Sequence, residues 1–376
     1  MSKCRFATFN VALNRAHSGQ LKQELMHTKS LQIKNVAETL QRTRPDVVLL
    51  NEFDHDGEGE DREMLTLFQA NYLDRSQNGA LPIHYPYVYM AATNTGLLNR
   101  ASYSHVEEPK LPEHGFGFGD FHGQYAFVIL SKYPLDIERC RTFQHFLWQQ
   151  MPNACLPTLA NGQSYYNQQV LQHFRLSSKN HVDLPVVIEI NNQRHRVHLL
   201  AMHPTPPIFE GTEKRNSRRN HDEIRLFADY INSKEVQYII DDNGERGGVV
   251  PNASFVLMGD FNADPNDGDS YRNAINQLLL HPRVNAQVAT GSRVPKSLGA
   301  QAYSEQSGYQ SKGESAAHTH LFPLRLDYVL PSADLTVVGS GVFWPTQYDE
   351  QDYLVADTRR CQQTSDHRLV WVDVVL

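Results

Sequence analysis

A chain of 376 residues with a 40% hydrophobic share can bury a sizeable core, as one large α/β domain or two smaller ones. Its formal net charge of −7 excludes broad electrostatic coating of nucleic acid, though not a nuclease with a local metal site. No run approaches the length of a membrane span and no secretory signal is legible. The expected location is cytoplasmic if Met1 is the native start, and secreted or periplasmic if a leader has been removed. Cys4, Cys140, Cys155 and Cys361 form no CxxC pairing, which argues against zinc. Cys140 and Cys155 are close enough in sequence for a disulfide, with free buried thiols as the alternative.

In chain order, FATFNVAL (Phe6 to Leu13) predicts a strand carrying Asn10. Ser30 to Arg44 predicts a helix, capped by Ser30, apolar through Leu31, Val36, Ala37 and Leu40, and stopped by Pro45. Asp46 to Leu50 predicts a strand with Glu52 just past its end. The strand–helix–strand unit would set Asn10 and Glu52 side by side. The acidic stretch Asp54 to Glu63 is expected to be a solvated loop, with a second cation as the weaker alternative. Residues 75 to 124 and 140 to 184 read as long irregular insertions in one domain spanning 1–376.

Tyr125 to Leu130 predicts the next strand. Val186 to Ile190 and Val197 to Met202 predict a hairpin, and the second strand runs into His203 and Pro204. EKRNSRRNHDE follows, with a helix expected from Asp222 to Ile231. Its Lys214, Arg215, Arg218 and Arg219 read either as a solvated face or as an anion-recognition loop, since guanidinium forks match phosphate oxygens. Phe255 to Met258 predicts a short buried strand that ends in GDFNADPNDG. Asp260 and Asn262 leave it two positions apart, which on a strand points both the same way. The competing reading is an ordinary turn rich in Asp and Asn. A calcium loop does not fit, because Pro265 and Tyr271 stand where glycine and the closing glutamate are required. A helix is expected near Tyr271 to Leu280. Strands are expected at Arg325 to Leu330 (with Asp327 inside), Leu335 to Phe343 and Leu369 to Val375, the last preceded by Asp366 and His367.

Asn10, Glu52, His203, Asp260, Asn262, Asp327, Asp366 and His367 thus all sit in or beside apolar strands. No GxSxG or cysteine nucleophile motif competes with them. Carboxylates and carboxamides without thiolates suit Mg²⁺, Mn²⁺ or Ca²⁺, as one or two ions. Histidines beside such an ion suit a phosphoryl transition state, where negative charge grows on oxygen.

The pieces TFNVAL, LLNEFD, MHPTPP, GDFNADP, RLDYVLP and SDHRLV, in that order, resemble the endonuclease/exonuclease/phosphatase superfamily, the group similar to deoxyribonuclease I. The resemblance implies a four-layer α/β sandwich: two packed mixed β-sheets flanked by helices, with the site at one sheet edge. It implies Glu52 as principal metal ligand with Asn10 beside it and Asp366 helping. Asp260 would orient or deprotonate water, Asn262 would hold phosphate, and His367, oriented by Asp327, would contact the scissile phosphate. His203 would be a second phosphate-facing group. Nuclease relatives orient that histidine with a glutamate, but HGQYAF here has none, so Asp120 is the candidate partner.

The expected function is divalent-metal-dependent phosphoester hydrolysis by in-line attack of water, most simply on a phosphodiester as in a nuclease. The alternative is a phosphomonoesterase on a small phosphorylated metabolite such as a sugar or inositol phosphate, with Arg215, Arg218, Arg219 and Lys179 as substrate contacts. A non-catalytic binding protein with the same fold is the third reading. The sequence sets no oligomeric state.

Overall fold

A computed structural model of the protein describes residues 3–103, 106–190, 192–232, 236–355 and 363–376. Cys361 lies outside the described residues. The strands are β1 (Lys3–Leu13), β2 (Val47–Phe53), β3 (Tyr87–Met90), β4 (Phe127–Ser131), β5 (Arg141–Thr142), β6 (His181–Ile190), β7 (Gln193–Met202), β8 (Ser254–Asp260), β9 (Asp327–Pro331), β10 (Thr336–Val342) and β11 (Val370–Val375). The main helices in chain order are α1 (Gln20–Leu25), α2 (Leu31–Thr43), α3 (Glu63–Phe68), α4 (Gln168–Leu171) and α5 (Arg215–Asn232). One sheet runs β10-β11-β1-β2-β4-β3, the other β5-β6-β7-β8-β9. Both are mixed: β1 and β2 are parallel, as are β7 and β8, while the other neighbours are antiparallel.

Strand alternation builds the layers. Cys4 and Phe6 of β1, with Val47 and Leu49 of β2, face the second sheet. Ala7, Phe9, Val48 and Leu50 face the opposite way, onto Ile33, Val36, Ala37 and Leu40 of α2. The larger core fills the space between the sheets and continues to Ile224, Phe227 and Ile231 of α5. The result is the layered α/β sandwich expected from the sequence.

Several local expectations hold. Ser30 caps α2 by accepting from Ile33 N, and Arg44 ends it in the left-handed region (φ 54°) before Pro45. β1 lies against β2 with Asn10 opposite Asn51. Others need correction. The helix of the basic stretch begins at Arg215, seven residues before the expected start. The one expected near Tyr271 is broken: the short 3-10 turn Tyr271–Asn273, with left-handed Arg272 (φ 50°) inside it, is followed by a separate helix, Asn276–Leu279. The insertions are partly structural. Residues 75–124 supply the edge strand β3, and 140–184 supply β5, the start of β6 and the fully buried Trp148, whose Nε1 donates to Asp222 of α5 at 2.7 Å. Cys140 and Cys155 are both free thiols.

One buried group sets an acid limit on stability. His181, at the start of β6, contacts Ser177 Oγ (2.6 Å) through Nδ1 and the Glu223 carbonyl (2.8 Å) through Nε2. Burial drives it down to about 4. An unfolded histidine titrates near 6.5, so its stabilising contribution is complete above that pH and is lost as pH falls toward 4. Relative to His181→Gln, the wild type is expected to lose about 3 kcal/mol between pH 7 and 4. Urea unfolding at several pH values reads this directly, and a pH-independent difference would contradict it.

Candidate functional site

The apolar strands deliver polar side chains to one place. Asn10 is fully buried on β1; its Nδ2 donates to Glu52 Oε1 (3.0 Å) and Asp260 Oδ2 (3.1 Å). Its Oδ1 accepts from Ala12 N (3.1 Å), so Asn10 shows the carboxylates its amide hydrogens and keeps one lone pair for any cation.

Glu52 does not lie past the strand, as its sequence position suggests, but inside β2 at φ 57°. Strict alternation would turn it toward α2, with Leu50. The left-handed residue breaks that alternation, so neighbouring Asn51 and Glu52 reach Thr8 and Asn10 on the same face of β1. Asn14 donates to Glu52 Oε2 at 2.7 Å.

Asp260 ends β8 and is 1% exposed. Its Oδ2 lies 3.1 Å from Asn10 Nδ2, 3.4 Å from His203 Nε2 and 3.6 Å from His367 Nε2. The preceding Gly259 (φ 151°) has no substitute, because a Cβ there would stand 1.9 Å from the Met202 carbonyl oxygen. Asn262 corrects the simple strand picture. It is beyond β8 at φ 52°, its N–H donates to Asp260 Oδ1 (3.0 Å) and its Nδ2 to the Pro204 carbonyl (3.1 Å). A turn, not pleat alternation, places it.

Asp327 pairs with Asp260 in register across β8 and β9. Its Oδ2 takes His367 Nδ1 at 2.9 Å and Thr319 Oγ1 at 2.7 Å, while its Oδ1 is buried without a partner. Burial alone would discharge His367, yet the carboxylates of Asp327 and Asp260 overrule it and hold the imidazolium well above its ordinary range. His203 goes the other way: burial, then the charges of Lys179 and His367, keep it neutral, and its Nδ1 has no partner. Asp120 is exposed and no bond or ion pair joins it to His203 among the described residues. Nor can the HGQYAF stretch carry a glutamate at Gly123, where a Cβ would meet the His55 carbonyl at 2.0 Å.

Asp366 stands slightly apart, grouped with His320 and His367. Burial opposes its ionisation, but the His320 hydrogen bond and the His367 charge outweigh that and hold it well below the usual carboxylate range. His320 accepts from Phe322 N at Nδ1 (2.8 Å), which leaves the proton on Nε2, 3.3 Å from Asp366 Oδ2.

The donor set fits a hard divalent cation. Ligand atoms of Glu52, His203 and Asp260 lie within 4.8 Å of one another, and the Asp260, Asp327, His367 group adjoins them. Burial raises the carboxyls of both Glu52 and Asp260, and negative charge raises them further, from Asp366 and Asp260 on Glu52 and from Asp327 on Asp260; a cation there relieves both effects. The acidic stretch after β2 forms no such cluster among the described residues. Contrary to a fully solvated loop, Asp54 is buried, accepts from Arg15 N and Tyr125 N, and is pushed up to about 7 by burial.

The basic cluster is largely spent on structure. Arg219 is buried and donates to the carbonyls of Leu176, Phe116 and Arg175. Arg215 pairs with Glu213 and donates to the Phe209 carbonyl; Arg218 donates to the Leu156 carbonyl at 3.3 Å and lies over the Tyr271 ring. None makes a bond or ion pair to the carboxylates of the site among the described residues. Lys179, by contrast, is near it: its electrostatic neighbours include Glu223, Glu52 and Asp260.

Asn14, His320, Glu223 and Asn220 escape a reading by strand ends. Asn220 of α5 donates to the Thr205 and Phe261 carbonyls (2.9 Å each), and Glu223 accepts from Ser178 N and Thr205 N (2.6 Å each). The signal was the NHDE run, polar residues at the helix positions that face inward. The site gathers where β1, β2, β8 and β9 come together across both sheets, and β9, which carries Asp327, is an edge strand of the second.

By sequence, no curated protein matches the chain. In fold it is similar to an endonuclease/exonuclease/phosphatase from Beutenbergia cavernae, with TM-score 0.52 and 16% identity over 100% of this chain and 72% of that one. It is also similar to a family protein from Leptotrichia buccalis (TM-score 0.48, 14% identity, 99% of this chain and 100% of that one). Truncated Caenorhabditis elegans TDP2 gives 0.45 and 14%, over 100% of this chain and 98% of that one. The model of the Endonuclease/Exonuclease/phosphatase family matches residues 7–367. With that match spanning nearly the whole chain, the protein belongs to the endonuclease/exonuclease/phosphatase family.

Proposed function

We propose that the protein is a divalent-metal-dependent phosphoester hydrolase that uses water directly, with no covalent enzyme intermediate. The observation that carries this reading is the convergence of Glu52, His203 and His367 on one carboxylate, Asp260. A divalent ion held by Glu52, with Asn10 and Asp366 beside it, would supply Lewis-acid polarisation of a phosphoryl oxygen. Asp260 orients water and takes its proton. His367, kept cationic by Asp327, stabilises charge on the phosphoryl oxygens, and the free amide hydrogen of Asn262 adds a donor. His203, neutral, contributes a hydrogen bond and not a charge.

The nuclease-type, phosphodiester form of this reading has one supporting observation. Phe322 is 73% exposed and stacks on His320, whose ring lies 4.4 Å from that of His367. A nucleobase beside the scissile phosphate could rest on this shelf. Plasmid nicking measured beside phosphate release from monoesters separates the two forms.

The decisive test is hydrolysis of model mono- and diesters with Mg²⁺ or Mn²⁺, with and without EDTA. EDTA is expected to abolish turnover and Glu52→Ala to lower it by about 10³-fold or more. Undiminished turnover of Glu52→Ala would defeat the proposal. No helix among the described residues is long and apolar enough to cross a membrane.

A further inference from the structure

We propose that Lys179 is a substrate-binding residue whose ammonium takes a charged phosphoryl oxygen, and that it tunes the site for the dianion of a phosphomonoester. This rests on the hydrolase reading above and names its substrate class.

Lys179 is only 6% exposed, yet among the described residues its ammonium has neither a hydrogen bond nor an ion pair. An unpaired buried ammonium is costly to a fold and is rarely left without a use. Its position is fixed. The Lys179 carbonyl accepts from Asn94 N (2.9 Å), Ser178 N donates to Glu223 (2.6 Å), and Asn180 Nδ2 donates to the Ala92 carbonyl (2.8 Å). Gly117 packs so closely on this strap that a Cβ there would lie 2.0 Å from the Ser178 carbonyl oxygen. The strap adjoins the site directly: Ser178 Oγ donates to the His203 carbonyl (3.4 Å), and Glu223, which holds Ser178 N, also holds Thr205 N (2.6 Å), so the side chain rising from it is felt by Glu223, Glu52, Asp260 and His203. It is thus a built cation beside the reacting centre, not a surface arm. The His203 Nδ1 is buried and unpartnered.

The charge count favours a monoester. In the transition state of phosphoryl transfer, attacking and leaving oxygens are in line and three oxygens are equatorial. A monoester has charge spread over all three; in a diester one is esterified. The cation site at Glu52 and the Asn262–His367 side provide for two oxygens. Lys179 is a third, fixed, positive partner, and an ester oxygen would leave that buried ammonium unmatched.

The test compares wild type with Lys179→Met and Lys179→Gln. The readouts are turnover of p-nitrophenyl phosphate and bis-p-nitrophenyl phosphate, and the thermal shift given by inorganic phosphate with Mg²⁺. Wild type is expected to prefer the monoester. Both variants are expected to lose about 100-fold or more in kcat/KM on the monoester, under tenfold on the diester, and the phosphate-induced shift. Without phosphate, Lys179→Met is expected to melt no lower than wild type, because it removes an unpaired buried charge. Equal losses on both esters, retained phosphate stabilisation, or a lowered melting point with the phosphate shift intact would each overturn the proposal. If wild type turns over neither ester, the hydrolase reading fails, while the phosphate shift still decides whether Lys179 binds the anion.

Discussion

Asp260→Asn is expected to lower kcat by about 10³-fold or more while leaving KM within a few fold. The substitution is nearly isosteric, and Asn10, His203, His367 and the Asn262 N–H all meet this one side chain. Asparagine can still accept from Asn262 N, but it cannot take a proton from water. It also removes one of the three carboxylates that keep His367 cationic, so the variant's pH profile should shift to lower pH on the side reporting that group. The fold is expected to survive, since burial already disfavours the ionised carboxylate. Steady-state kinetics beside a melting curve checks both halves. Near-native kcat in a well-folded variant would remove Asp260 from the chemistry.

The second large effect is on stability. Glu223 is fully buried, and its two oxygens accept from the backbone of Ser178 and of Thr205, which belong to different segments. Glu223→Ala leaves both N–H groups buried and unsatisfied, at a cost of about 1–3 kcal/mol each. A total near 4 kcal/mol is therefore expected in urea unfolding. Glu223→Gln keeps one acceptor and should cost about half of that. Because Thr205 follows the His203–Pro204 pair and Ser178 precedes Lys179, activity should fall at temperatures where the variant is still folded. Loss of stability below 1 kcal/mol in Glu223→Ala would show that the two segments hold themselves.

Much of the fold was legible because its local rules are strong. α2 has a serine cap, an apolar stripe and a proline stop, and it appears where those place it. The hydrophobic runs around Asn10 and before His203 and Asp260 announce strands, and a polar residue in or at the end of such a run stands out. What stayed hidden depends on tertiary context. The left-handed backbone at Glu52 has no sequence signature, because a non-glycine residue there is held by its surroundings. The arginines of α5 read as a phosphate clamp by composition alone. Only the fold shows that Arg219 is consumed by three carbonyls. Lys179, outside that cluster in sequence, is the one whose charge Glu52 and Asp260 feel. The segments from 75 and from 140 looked irregular because their strands are short, as β3 and β5 are, or begin with polar residues, as β6 does with His181.

Asn10 and Glu52 hang from the first sheet; His203, Asp260 and Asp327 hang from the second. The gap between Glu52 and Asp260 is therefore a mechanical property of the sandwich filling, set by Phe6, Leu49, Met258 and Val329 far below the surface. Trimming one methylene there would change the calibration of the jaws before it threatened folding. Catalytic rate should thus be a finer gauge of interior packing in this protein than any denaturation midpoint.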